Sequence, residues 1–133
     1  MGTDHVDPGG ELQTPVRELM ISRPKSLDRD ALVGDARRLF GNASVRVAMV
    51  VDGGRYAGEL RREDIPPAAG DGEPLAAYVR RGESIRPEAP LAEALLSLER
   101  SGGDRLAVVE GERLVGLVCF SRSHGQLCVD PRR

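Results

Sequence analysis

The chain carries the same pattern twice, 58 positions apart. Residues 17–65 lie on residues 75–123 without a gap. The clearest overlap sets Met49-Val50-Val51-Asp52-Gly53-Gly54-Arg55-Tyr56-Ala57-Gly58 on Ala107-Val108-Val109-Glu110-Gly111-Glu112-Arg113-Leu114-Val115-Gly116. Upstream, Ala31 and Ala36 fall on Ala89 and Ala94, and Ser26-Leu27 falls on Ser84-Ile85. A repeat of this length marks one supersecondary unit used twice. Two such units imply a pseudo-two-fold arrangement, with a ligand most naturally held between them.

Each copy shows the same order of elements. Val16 to Ile21 is a short apolar helix candidate and Ser26-Leu27 a brief extended segment. Val33, Ala36, Leu39 and Phe40 recur at helical spacing, with Asp30 placed to cap the start and Gly41-Asn42 to stop it. Val47 to Val51 has the length and apolar character of a strand. Asp52-Gly53-Gly54 signals a hairpin turn, and Tyr56 to Leu60 is the return strand. Arg61 to Ile65 begins a further helix that Pro66-Pro67 ends.

In the second copy, Leu75 to Val79 mirrors the lead-in, and Leu91, Ala94, Leu95 and Leu98 mark the helix. Leu106 to Val109 and Leu114 to Val118 form the second hairpin. Beyond Phe120 the symmetry decays into a loop over 121–125, with Leu127-Cys128-Val129 as a candidate extra strand. The expected organisation is a flexible tail at 1–15, repeat 1 at 16–67, a linker at 68–74 and repeat 2 at 75–133 with a degenerate C-terminal end.

Composition narrows the class. Aromatic residues are 3% of the chain and Trp is absent, so the core must come from Leu, Val, Ala and Ile. The net charge of −2 gives no global attraction to nucleic acid, and Arg80-Arg81 and Arg132-Arg133 are only local basic spots. Cys119 and Cys128 lack any CxxC pairing, which suits two small apolar residues in a reducing compartment. No apolar run reaches the roughly 20 residues that span a bilayer, and 1–10 has no signal-peptide core. Cytoplasmic residence without a membrane partner is expected. Arg outnumbers Lys, and with abundant Ala, Gly and Pro this fits a genome rich in G and C and a bacterial source.

The stretches Asp30-Ala31-Leu32-Val33-Gly34-Asp35-Ala36 and Glu88-Ala89-Pro90-Leu91-Ala92-Glu93-Ala94, each followed by its hairpin and glycine, resemble the CBS domain, named after cystathionine β-synthase. The likeness covers nearly all of 16–124. It implies an α+β fold of tandem CBS repeats, each β-α-β-β-α, with two small sheets packed together and helices outside. It implies homodimers paired through helices. It also implies adenosine-containing ligands (AMP, ADP, ATP or S-adenosylmethionine) held in the cleft between the repeats, and regulation instead of catalysis.

In ligand-binding members of the family the return strand ends Gly-x-x-Thr/Ser-x-x-Asp, with the carboxylate on the ribose hydroxyls and the hydroxyl near phosphate. Repeat 1 reads Gly58-Glu59-Leu60-Arg61-Arg62-Glu63-Asp64, so Asp64 matches the aspartate and Arg61 stands at the hydroxyl position. Repeat 2 reads Gly116-Leu117-Val118-Cys119-Phe120-Ser121-Arg122 and has neither group. The resemblance therefore selects Asp64, Arg61, Ser26, Ser84, Gly58 and Gly116 as ligand-binding candidates. Each also has a plain structural reading. Asp64 suits a helix start, the arginines suit a solvated surface, the serines suit turns, and the glycines suit close backbone packing. Glu59, placed where repeat 2 has Leu117, is expected to face solvent or a partner's Arg, because a buried carboxylate needs a partner.

No nucleophile with a base, acid pair or metal set assembles in the sequence, so no enzyme is expected. The expected role is a regulatory module that senses an adenosine nucleotide. The alternative is a ligand-free dimerisation module that docks an unidentified protein partner.

Overall fold

The computed structural model describes residues 4–131; Arg132-Arg133 lie outside them. Eight strands and two α-helices follow in order. They are β1 (Asp4–Val6), β2 (Ser26–Asp28), α1 (Val33–Phe40), β3 (Val47–Asp52), β4 (Arg55–Arg61), β5 (Ser84–Ile85), α2 (Leu91–Ser101), β6 (Arg105–Glu110), β7 (Arg113–Ser121) and β8 (Gln126–Val129). This is an α+β chain of two helices with mixed sheet. It divides into two compact units, one holding residues up to Pro24 and from Glu83 onward, the other Lys25–Gly82.

In the Lys25–Gly82 unit, β2 runs parallel to β3, and β3 antiparallel to β4. In the other unit, β5 pairs parallel with β6, β6 antiparallel with β7, β7 with β8, and β8 with β1. The duplication persists at the level of register. Ser26 faces Met49 as Ser84 faces Ala107, and a bulge at Val50/Val51 is matched by one at Val108/Val109.

The buried positions repeat as well. Val33, Ala36 and Phe40 of α1 correspond to Leu91, Ala94 and Leu98 of α2. Ala48, Val50 and Leu60 correspond to Leu106, Val108 and Val118. These i, i+3, i+7 faces close onto the sheets and form one apolar core per unit.

The lead-in segments change units. The 3-10 turn at Val16–Glu18 donates from Val16 to the Ala89 carbonyl at 2.8 Å and buries Val16 with Leu91 and Leu98. The 3-10 turn at Leu75–Tyr78 likewise donates from Leu75 to the Ala31 carbonyl at 3.1 Å and buries Leu75 with Val33. Each lead-in thus completes the core built by the other repeat's strands and helix.

Three local expectations are corrected. Residues 4–6 are a strand on β8, not part of a flexible tail, and a 3-10 turn follows at Pro8–Gly10. Asp30 does not cap α1. Leu32 precedes the helix, and its N–H donates to Asp35 at 3.0 Å, which holds the Asp35 carboxyl below its usual range. The closing helix of repeat 1 is a single 3-10 turn, Arg62–Asp64; Pro66-Pro67 remove donors and crowd the preceding turn. In repeat 2 the expected extra strand is present: β7 runs on to Ser121 and turns back as β8, which contains Leu127-Cys128-Val129.

Candidate functional site

The candidate residues gather where β4 meets the segment 79–82. Glu59 and Arg80 form an isolated antiparallel bridge, each N–H donating to the other's carbonyl at 2.9 Å. Gly58 makes this approach possible. A Cβ there would lie 2.5 Å from the Arg80 carbonyl oxygen and 2.8 Å from Val79 Cγ1, and its φ of +146° already disfavours other residues. Gly116 does the same for the other lead-in: a Cβ would meet the Ile21 carbonyl oxygen at 3.0 Å and the Met20 side chain.

Four charged side chains of the Lys25–Gly82 unit pair off at this bridge. Arg61 Nε donates to Glu59 Oε2 at 2.8 Å. Arg80 grips Asp64 with two donors, Nε to Oδ2 at 2.8 Å and a second, shorter bond from its NH2 group to Oδ1. Asp64 Oδ2 also accepts from the Arg61 N–H at 3.3 Å, which satisfies the start of the 3-10 turn. The Asp64 side chain is 13% exposed and that of Arg80 49%. Hydrogen bonding to Asp64, then its charge, pushes the Arg80 guanidinium further up.

Glu59 is buried, and its partner is Arg61 of the same chain. This corrects the expectation of solvent or a partner's Arg, and it meets the requirement that a buried carboxylate be paired. Beside it the Tyr56 hydroxyl is buried without a hydrogen-bond partner among the described residues. Burial, and secondarily the Glu59 charge, pushes the Tyr56 phenol up to about 12. Gly82 closes this corner, where a Cβ would stand 2.6 Å from Glu59 Oε1.

Of the sequence-selected residues, the structure brings Gly58, Arg61 and Asp64 together. Ser26 sits on the same sheet face as Glu59, two strands away, since Ser26 pairs with Met49 and Met49 with Glu59. Ser84 and Gly116 belong to the other unit. There, Arg122 stands at the position of the family aspartate and donates to the Leu98 carbonyl at 3.1 Å and the Gly103 carbonyl at 2.7 Å, which ties down the end of α2. Cys119, at the hydroxyl position, is buried, and desolvation raises its thiol to about 12. It faces Cys128 across β7 and β8, and both are free thiols.

The sequence reading missed Arg80 as a site residue; it stood there only as half of a basic pair. The internal repeat held a signal. Shifted by 58, Arg80 falls on Ser22, whose hydroxyl donates to the Asp130 carboxylate at 2.6 Å. In both units the lead-in therefore delivers a donor to an acid.

A groove of about 350 Å3 lies elsewhere in the Lys25–Gly82 unit, lined by Arg37, Phe40, Gly41, Arg62, Ile65 and Pro67. Its arginines are fastened. Arg37 binds Asp71 at 2.6 Å, and Arg62 donates to the Val45 carbonyl at 2.7 Å and stacks on Phe40. Among the described residues, no group of three or more His, Cys, Asp or Glu is placed to hold a metal ion, and no helix is long and apolar enough to cross a membrane.

Comparison with known proteins agrees with this architecture. The family model described as the CBS domain matches residues 16–65 and 77–121. A search of curated proteins finds no match. Among solved structures, a Vibrio cholerae protein given as a candidate acetoin utilization protein superposes with a TM-score of 0.73 at 23% identity, covering 81% of this chain and 85% of that one. A CBS domain pair/ACT domain protein from Thermotoga maritima gives 0.72 at 20% identity, covering 80% and 89%. CBSX2, solved in complex with AMP, gives 0.69 at 20% identity, covering 84% and 92%.

Proposed function

We propose, from the premise that the chain belongs to the CBS-domain family and carries two copies of that domain, that it is a regulatory module sensing an adenosine nucleotide through Asp64. CBS domain pairs are regulatory modules, and a ligand regulates only by preferring one state of the protein. The observation that carries the reading is the Asp64 carboxylate. It stands at the family's ribose-binding position, mostly shielded from water, and is held by donors that a ribose diol can replace. Arg80 sets a guanidinium directly on it and Arg61 holds a second one on the neighbouring Glu59, both of a kind suited to phosphate oxygens. The AMP complex of the related CBSX2 fold supports the choice of ligand class.

Repeat 2 lacks the equivalent groups, so the expected stoichiometry is one ligand per chain. Thermal melting against AMP, ADP, ATP and S-adenosylmethionine tests the reading, since a ligand of the native state raises the melting point with concentration. A concentration-dependent rise with a nucleotide supports it. No shift with any of the four at millimolar concentration counts for the ligand-free docking module instead.

The chain is further proposed to pair with a second copy through its helices. Leu96 is 52% exposed on α2 and offers an apolar contact. Sizing chromatography at micromolar concentration distinguishes a dimer from a monomer.

A further inference from the structure

We propose that Arg80 makes this site selective for phosphorylated adenosine ligands, serving as a latch on Asp64 that a ligand phosphate draws off. The inference rests on the reading of Asp64 given above and adds the ligand's chemical class and the residue that enforces it.

The latch is built from two parts that move differently. The Arg80 main chain is fixed by its reciprocal hydrogen bonds with Glu59, and the absence of a Cβ at Gly58 holds it close. The side chain is half exposed, whereas the carboxylate it covers is 13% exposed. Rotation of the Arg80 side chain alone therefore uncovers Asp64, with no change in the strands. In the structure the guanidinium spends two donors on Asp64, and Glu59 and Glu63 add to its charge environment. Glu59 cannot take the guanidinium over without sharing it, because its own carboxylate is engaged by Arg61.

A ribose diol that reaches Asp64 must displace Arg80. A neutral nucleoside restores hydrogen bonds to the carboxylate but leaves the guanidinium without its anion. A nucleoside phosphate restores both, because the planar fork of Arg matches phosphate oxygens as well as it matches a carboxylate. S-adenosylmethionine brings a sulfonium and an ammonium towards Arg61 and Arg80, and only one carboxylate in return. The expected order is AMP or ATP above adenosine, with S-adenosylmethionine no better than adenosine.

Calorimetry with AMP and with adenosine tests this on the full chain in three forms: wild type, Arg80→Gln and Arg80→Lys, each checked for a cooperative melt. Wild type is expected to bind AMP roughly tenfold or more tighter than adenosine, the scale of one lost charge-assisted contact. Arg80→Gln is expected to bind adenosine more tightly than wild type does, since Asp64 is uncovered, and AMP more weakly, so that the preference collapses. Arg80→Lys keeps a charge but loses the two-donor grip; it is expected to gain on adenosine and keep part of the AMP preference. It carries the test alone if Arg80→Gln does not fold.

Equal binding of both ligands by wild type, or an unchanged AMP preference in the Arg80 variants, overturns the latch. Asp64 stands as the binding residue in that case if Asp64→Ala still weakens binding more than about tenfold. Absence of binding of either ligand by all forms overturns the latch, and the nucleotide reading falls with it if ADP, ATP and S-adenosylmethionine also fail to shift the melting point.

Discussion

The two units share one plan, yet one is polar where the other is apolar. At the position after the bridging glycine, the Lys25–Gly82 unit has Glu59, buried and paired with Arg61, while its counterpart has Leu117, buried without need of a partner. Two positions after each of these stand Arg61 and the buried Cys119. Asp64 is held by Arg80 from the lead-in, whereas its counterpart Arg122 is spent on the carbonyls at the end of α2. A duplicated scaffold thus keeps charge in one copy and converts the other to packing. The difference teaches where to look for ligand chemistry: buried charge is costly, and the copy that retains it has the groups a ligand can use.

The comparison can be broken most severely at the glycines. Gly58→Val drives a branched side chain into the Arg80 backbone at a φ of +146°, and a loss of about 3 kcal/mol is expected in urea unfolding. Gly116→Val meets the flexible Met20 side chain as well as the Ile21 carbonyl, so a smaller loss is expected. A larger loss at Gly116 than at Gly58 contradicts this ranking.

Charge burial comes next. Arg61→Ala leaves Glu59 buried and unpaired, with an expected loss of about 2 kcal/mol, reduced from the fully buried case because Arg61 is partly exposed. Glu59→Leu, which imitates Leu117, is expected to be neutral or stabilising in the same denaturation experiment. If both variants lose equally, the pair is a net stabiliser and the contrast between the units fails.

Each unit also hides one alkaline titration. Cys119 is raised from 9.0 and Tyr56 from 10.0, each to about 12, by burial first. Both protons are held more tightly in the folded state. Their stabilisation is complete below the unfolded values and is lost as pH rises towards about 12. Cys119→Ala is expected to flatten the fall in stability that starts near pH 9, and Tyr56→Phe the part that starts near pH 10. Tyr56→Phe also removes an unpartnered hydroxyl, so near neutral pH it is expected to be neutral or stabilising by up to about 1 kcal/mol. The smallest effect is expected at Arg17–Glu88, an exposed pair in the other unit, where Arg17→Ala is expected to cost no more than about 0.5 kcal/mol by thermal melting.

The sequence made the local elements legible because they repeat. The helix faces at Val33, Ala36 and Phe40 and at Leu91, Ala94 and Leu98 follow from periodicity, and the hairpins from their glycine turns. What it left hidden is long-range. Nothing in residues 4–6 announces a strand whose partner lies over 120 positions away at β8. The exchange of lead-ins is invisible for the same reason: Val16 reads as apolar wherever its pocket is found. At the candidate site, Asp64 was readable as a match to the family pattern and Arg61 as a departure from it at the hydroxyl position. Arg80 was not, because its role depends on a backbone bridge to Glu59 that no local spacing encodes.

One copy of the repeat keeps the charged groups proposed to bind a ligand, and the other carries Leu117, Cys119 and Arg122 in their places. Titration calorimetry of AMP into wild type and Asp64→Ala measures this most directly. One AMP per chain is predicted, with affinity falling more than about tenfold in the variant through loss of charge-assisted hydrogen bonds. Two equivalent sites per chain, or an Asp64→Ala affinity equal to wild type, would contradict it.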